Sequence, residues 1–205
     1  MKPLFLLALA AIAIPLAATS QMSLGIKGGT NFAKVTKASN VKAENATGFH
    51  AGIFLSQKKE TVLGYRTELI FSRQGYDYQN ATTTGTVKLD YLLLPQLMQI
   101  NITKYFSVQA GFQLAYLLNA KADSNTTRTG NQQVDNLLDL FNRFDYGVSG
   151  GIEVHPYAGI LLGARINLSL GNLYKDIDPT DPRPNFFPTV DAKNNVVQVF
   201  AGYRF

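Results

Sequence analysis

The chain closes on VVQVFAGYRF, and that decamer alternates. Val197, Val199, Ala201, Tyr203 and Phe205 share one parity; Gln198, Gly202 and Arg204 share the other, with Phe200 as the exception. Alternation with period two marks a strand whose two faces meet unlike surroundings. The same pattern runs through SLGIKGGTNF, where Leu24, Ile26 and Phe32 oppose Ser23, Lys27 and Asn31. It returns in GFHAGIFLSQ, LGYRTELIFSRQG, YFSVQAGFQLAYLL, FDYGVSGGIEV and ILLGARINLSLG. One further segment, VKLDYLLLPQLMQI, carries Leu92, Leu93 and Leu94 in a row, which leaves its parity open. Pro95 within it lacks a ladder donor and predicts a bulge or a local break. Counting that segment, the sequence predicts eight strands.

These segments suit a tilted strand that crosses a bilayer, which takes about 9–11 residues. Their connections alternate in length. KKETV, NITK and PYAG are short, whereas the stretches from about Ala33 to Ala46, Lys121 to Asn142 and Leu173 to Lys193 are long, and QNATTTGT is intermediate. Short turns on one side and long loops on the other are the build of bacterial outer-membrane barrels. The expectation is therefore an all-β fold, an eight-stranded antiparallel transmembrane barrel with apolar parity toward lipid and polar parity toward a narrow lumen. The last strand must close on the first, because lipid offers no partner to an open sheet edge. A soluble sandwich is the competing reading, and it leaves the loop asymmetry unexplained.

The amino terminus predicts the compartment. MKPLFLLALAAIAIPLAATSQ has a single lysine, an apolar stretch from Leu4 to Ala18 and small residues before Gln21. That is the pattern of a secretory signal peptide over residues 1–20, which leaves 21–205 as one barrel domain. The run is short for a bilayer span and carries Pro15. With no cysteine, the chain has no disulfide and no site for a lipoprotein anchor. The formal charge of +5 is scattered, without an arginine-rich run. It points to an anionic membrane surface rather than to nucleic acid. An even strand count puts both termini in the periplasm.

The segments GIKGGTNF, GFHAGIF, YRTELIFSRQG, LDYLLLPQLM, FSVQAGFQLAYLL, FDYGVSGGIEV and VFAGYRF stand in an order that covers nearly all of residues 21–205. In that order the chain resembles the small outer-membrane β-barrel proteins of the Bacteroidetes, the PorT-like "porin family" group. The resemblance implies a barrel in a Gram-negative outer membrane and allows an accessory role in a secretion system. The acidic residue that the family usually carries before the strand proline is absent from YLLLPQL. The alternating terminal strand, with Tyr203 and Phe205, also looks like the signal read by the outer-membrane assembly machinery. Fold alone does not fix activity.

Eight strands enclose an interior that side chains just fill, and a wide diffusion pore needs about 16–18 strands. Lys27, Arg66, Glu68, Glu153, Arg165 and Arg204 all fall on polar parity. Buried charges must pair or stay hydrated. They are read as a lumen charge network, with Glu153 and Arg165 on neighbouring strands joined by HPYAG; an ion or proton path is the alternative. GIKGG lacks the spacing of a phosphate loop, and its glycines suit strand bending. His50 and His155 are expected near opposite ends of the barrel, so no two-histidine metal site follows. His50 is the one rim candidate for a Ser–His–acid enzyme, but its parity points inward and no acid is paired with it.

No catalytic, cofactor-binding or metal residue is therefore assigned, and no nucleic-acid partner is expected. Loops on a rigid scaffold carry binding. Lys34, Lys37 and Lys42 of the first loop are candidates for lipopolysaccharide phosphates. Val134, Leu137, Leu138 and Phe141 recur at helical spacing and suit a short helix over the barrel mouth or a docking surface. Phe186 and Phe187 in the last loop pack on the rim or meet a partner. The overall expectation is a monomer with a structural or binding role, set in outer-membrane lipid. The alternatives are a secretion accessory, a narrow channel and a lipid-modifying enzyme.

Overall fold

The computed structural model describes residues 22–36, 42–57, 62–79, 84–125, 138, 141–174 and 193–205. The strands are β1 (Met22–Thr36), β2 (Lys42–Gln57), β3 (Leu63–Gln79), β4 (Thr84–Asn101), β5 (Phe106–Asn125), β6 (Phe144–Val154), β7 (Ile160–Ser169) and β8 (Lys193–Arg204). Each pairs antiparallel with the next, and β8 pairs with β1 from Gly25↔Arg204 to Thr36↔Lys193, closing an eight-stranded barrel. At that seam Gly29 is obligatory. A Cβ there would sit 2.0 Å from the carbonyl oxygen of Val199 on β8. Such close backbone approach is how a small barrel turns its corners.

The outward parity is apolar and unpaired. Ile26, Ile53, Leu69, Phe112, Val148, Ile166 and Val199 are all more than two-fifths exposed. Burying one such side chain is worth about 1.5–3 kcal/mol, so a belt of them surrounding the barrel cannot rest in water. Aromatic residues mark its edges, as in barrels that span membranes. Phe71, Leu92, Tyr116 and Phe144 lie on one ladder of cross-strand partners toward the long loops. Tyr105, Tyr157, Tyr203 and Phe205 are exposed at the turn end.

Beyond the loop-side ladder the outer face turns polar. Arg73 Nε donates to Asp90 Oδ1 at 2.7 Å, and Thr86 Oγ1 donates to Asp77 Oδ1 at 2.6 Å. β6, β7 and β8 have 11, 10 and 12 residues, close to one crossing, whereas β3, β4 and β5 have 17, 18 and 20. The longer strands project past the belt. This corrects the expected loops: the stretch from Ala33 to Ala46 is mostly strand, with only 37–41 outside β1 and β2, and β5 runs past Lys121 to Asn125. Away from lipid a ladder needs no apolar alternation, so the sequence signal fades before the strand ends.

The open parity around Pro95 resolves inside the sheet. Leu92 is exposed on the lipid side and Leu93 and Leu97 are buried inside. The ladder with β3 passes from Thr67↔Gln96 to Ile70↔Leu93 with its register kept. The register shift with β5 falls at Asp90/Tyr91 instead.

The interior corrects a second expectation. It is polar only in part. Toward the loops, Ile70, Tyr76, Val87, Leu89, Tyr91, Leu93 and Leu117 form an apolar core inside the barrel. Phe141, Leu173 and Tyr174, from the connections β5–β6 and β7–β8, drop into it, and Phe141 and Tyr174 bridge one another.

Candidate functional site

Below the apolar core the barrel carries a layer of neutral polar groups. Asn31 on β1 donates Nδ2 to Ser72 Oγ on β3 at 2.9 Å and to the Arg73 carbonyl at 2.8 Å. Its Oδ1 accepts from Gln198 at 3.0 Å and faces His50 Nδ1 at 2.8 Å. With its amide committed as a donor, Asn31 keeps the His50 proton on Nδ1. His50 is fully buried, edge-on to Phe200 at 6.2 Å. It therefore lies at mid-height and not near a barrel end, because β2 runs on past it to Lys42. Its polar partner is an amide oxygen, Asn31 Oδ1.

The charged layer follows toward the turn end. Glu68 on β3 accepts from Arg165 on β7 through two bonds of 2.6 and 2.9 Å, and from Lys27 on β1 at 3.1 Å. Arg66, also on β3, makes a two-pronged pair with Glu153 on β6, Nη2 to Oε2 at 3.0 Å and Nη1 to Oε1. Arg66 Nη1 also lies 3.6 Å from Glu68, which links the two pairs. Gln109 accepts from Arg165 at 2.7 Å. All five charged side chains are buried. Isolated burial of one such ion costs several kcal/mol, and fork-to-fork geometry with shared partners offsets it.

The pairing differs from the neighbour-strand arrangement that the sequence suggested. Glu153 stands across from Gly163, and Arg165 from Gly151, so their side chains are staggered along β6 and β7. Each reaches instead across the lumen to β3. A barrel of eight strands is narrow enough for long side chains to meet the opposite wall. Two aromatic rings seal the layer. Lys27 Nζ lies 3.7 Å from the centroid of Phe200, and the Arg66 guanidinium lies 4.4 Å from that of Phe54. Phe200, which with the buried Val196 breaks the alternation of β8, faces inward onto that layer. Arg204 stands apart from these pairs. It lines the turn end of the lumen, and its Nε and Nη2 are buried without a hydrogen-bond partner.

The remaining candidates separate widely. Lys34 and Lys42 belong to the loop-end extensions of β1 and β2; Lys37 lies outside the described residues, as do residues 1–20, Val134, Leu137, Phe186 and Phe187. Leu138 and Phe141 pack on the apolar core. Tyr203 and Phe205 stack edge-on at 5.3 Å, and the Phe205 amide donates to the Leu24 carbonyl at 2.9 Å. Sequence reasoning missed the apolar plug. Its signal was the odd-numbered run Val87, Leu89, Tyr91, Leu93, hidden by the equally apolar Leu92 and Leu94. At its top Tyr76 and Tyr174 share a hydrogen bond of 2.7 Å. Burial, and then Tyr76, raises the Tyr174 phenol above its ordinary range, so it stays protonated.

A closed antiparallel barrel with a lipid-facing belt, aromatic edges and a filled lumen defines an outer-membrane β-barrel protein of a Gram-negative bacterium. Residues 17–175 match the outer membrane protein beta-barrel domain, and the chain belongs to that family. Among solved structures it is similar to Ail, the attachment invasion locus protein of Yersinia pestis, in complex with the heparin analogue sucrose octasulfate. The TM-score is 0.53 and the identity 16%, over 90% of this chain and 99% of that one. It is also similar to Neisserial surface protein A, with a TM-score of 0.50 and 13% identity over 89% and 97% of the two chains. At such identities the likeness carries the fold alone. A comparison with curated proteins gives no match.

Proposed function

We propose that this protein is a sealed barrel that anchors a binding surface in the outer membrane, without catalysis and without a permeation path. The observation that carries the reading is the double closure of the lumen. The buried ion-pair layer fills the turn-end half, and the apolar core with Phe141, Leu173 and Tyr174 fills the loop-end half. What remains available to other molecules is the two ends. The projecting β2–β5 sheet and its loops face outward from the cell in this reading, with both termini periplasmic. Lys34 and Lys42, at the loop ends of β1 and β2, and with them Lys37, which lies outside the described residues, are the candidates in this reading for lipopolysaccharide phosphates.

The test has two parts. In planar bilayers the refolded protein shows no open-pore conductance, and a stable conductance that changes with Arg66→Gln or Arg165→Gln would establish a channel instead. Lipopolysaccharide added to the barrel binds more weakly when Lys34, Lys37 and Lys42 are all replaced by Gln, and equal binding removes the loop assignment. The ordered resemblance to PorT-like barrels of the Bacteroidetes supports a second reading, an accessory of a secretion system. Deletion with measurement of exported proteins, together with a stable partner recovered through the loops, separates it from a purely structural role.

A further inference from the structure

The turn end carries a feature that a purely structural lumen does not need. Among the described inward residues of the charged layer, Lys27, Arg66, Arg165 and Arg204 are cations, and only Glu68 and Glu153 are anions. Both Glu68 oxygens are held by Arg165, with Lys27 added, and both Glu153 oxygens by Arg66. Arg204 is left over. Its nearest opposite charge, Glu153, is already held by Arg66, and its buried Nε and Nη2 make no hydrogen bond. Such half-compensated burial is costly, and an anion drawn from outside lowers that cost.

A pocket of about 320 Å³ opens beside it, between the β4–β5 and β6–β7 turns. Its walls include Lys104, Tyr105, His155 and Tyr157 as well as Arg204, and no carboxylate side chain among the described residues lines it. The walls are built rigidly. Thr103 Oγ1 accepts the amides of Tyr105 and Phe106 at 3.1 and 3.0 Å, which shapes the first turn. The His155 amide donates to the Tyr105 carbonyl at 2.8 Å and ties the two turns together. In the second turn Gly159 adopts φ of +79°, a conformation that favours glycine. A Cβ there would meet the Tyr203 ring at 2.7 Å. The Gly159 carbonyl then accepts the Arg204 amide at 2.7 Å and fixes β8 against the turn, with the Arg204 side chain at the pocket.

The charge, the size and the position agree on one ligand chemistry. The volume sits at the lower end of small-molecule sites, about 300–1,000 Å³. Guanidinium and ammonium groups together suit tetrahedral oxyanions. Tyr105 and Tyr157 are exposed beside the pocket at the aromatic edge of the lipid belt, at headgroup level.

We propose that this turn-end pocket binds a phosphate group, held by Arg204 and Lys104 and flanked by Tyr105 and Tyr157. The phosphate belongs either to a glycerophospholipid headgroup of the adjoining leaflet or to a free phosphate anion. The site is at the opposite end from the loop surface and does not depend on what the loops bind.

The full chain, refolded in dodecyl maltoside, is titrated with inorganic phosphate and separately with dihexanoyl phosphatidylglycerol, and phosphorus-31 line broadening and tyrosine fluorescence are followed. Saturable binding of the lipid alone assigns a headgroup site. Binding of inorganic phosphate alone assigns a free anion, and mutual competition assigns the phosphate group itself; each supports the proposal. Arg204→Gln and Lys104→Gln each weaken binding about tenfold or more, the worth of one charged hydrogen bond. Lys88→Gln, at the other end, leaves it unchanged. Should Arg204→Gln fail to fold, the exposed Lys104→Gln decides alone. No binding of either probe, or unchanged affinity in the folded variants, overturns the proposal.

Discussion

Glu68 holds more of the lumen together than any other single side chain, because Lys27 and Arg165 both depend on it and Arg66 lies beside it. Removing one member of a buried pair leaves the others uncompensated and costs about 3–5 kcal/mol. Glu68→Gln therefore lowers the unfolding free energy of the refolded barrel by that amount, read as a lower urea midpoint, whereas Glu68→Met combined with Lys27→Met and Arg165→Met costs markedly less. Equal losses in the single and triple variants would mean that charge is not what the layer contributes. Phe200 supplies a second case. By parity alone a polar residue belongs there, and by packing it does not, since its ring lies under Lys27 and beside His50. Phe200→Ala costs about 3–5 kcal/mol, as for a buried aromatic, and a loss below 1 kcal/mol would return Phe200 to the role of a tolerated exception.

At the scale of strands, the aromatic ladder through Phe71, Tyr116 and Phe144 divides each long strand into a lipid part and a water part. Leu69, on the lipid side, takes a charge badly: Leu69→Arg costs about 2–4 kcal/mol and depletes the heat-modifiable folded band in lipid vesicles. On the water side Lys88 and Lys121 are direct cross-strand partners, both exposed. Like charges so placed repel, so Lys121→Glu stabilises the barrel by about 0.2–1 kcal/mol. The gain shrinks as salt rises, and a gain indifferent to salt would argue against a watery surroundings there. The eight strands and most of their facing were legible from alternation. The far ends of β3, β4 and β5 were not, because a hydrated sheet needs only its ladder. The parity of β4 was not legible either, because its inner side meets an apolar core and its outer side meets lipid, and both favour leucine.

For the molecule as a whole, closure of β8 on β1 is the event that leaves no edge in lipid. Phe205 lies at that seam and is exposed, with its amide on Leu24. Deleting Phe205 leaves refolding into detergent nearly unchanged and reduces the amount of barrel assembled in cells; an equal loss in both settings would make it a packing residue rather than an assembly signal. The sequence by itself determined the barrel. Its alternating faces, paired with short and long connections, admit few other ways to cover apolar strands, and the inward parity of Lys27, Arg66, Glu68, Glu153 and Arg165 was already written in the alternation. Only the tertiary structure decided which charges meet, since the choice between a neighbouring strand and the opposite wall depends on barrel width and stagger. It also decided that the loop-end half of the lumen is apolar, that Phe200 serves the ion layer, and that Arg204 reaches the turn-end pocket with its Nε and Nη2 buried and unbonded. Periodicity records which side of the sheet a residue faces, whereas partners across the lumen are set by closure, which no local stretch of sequence encodes.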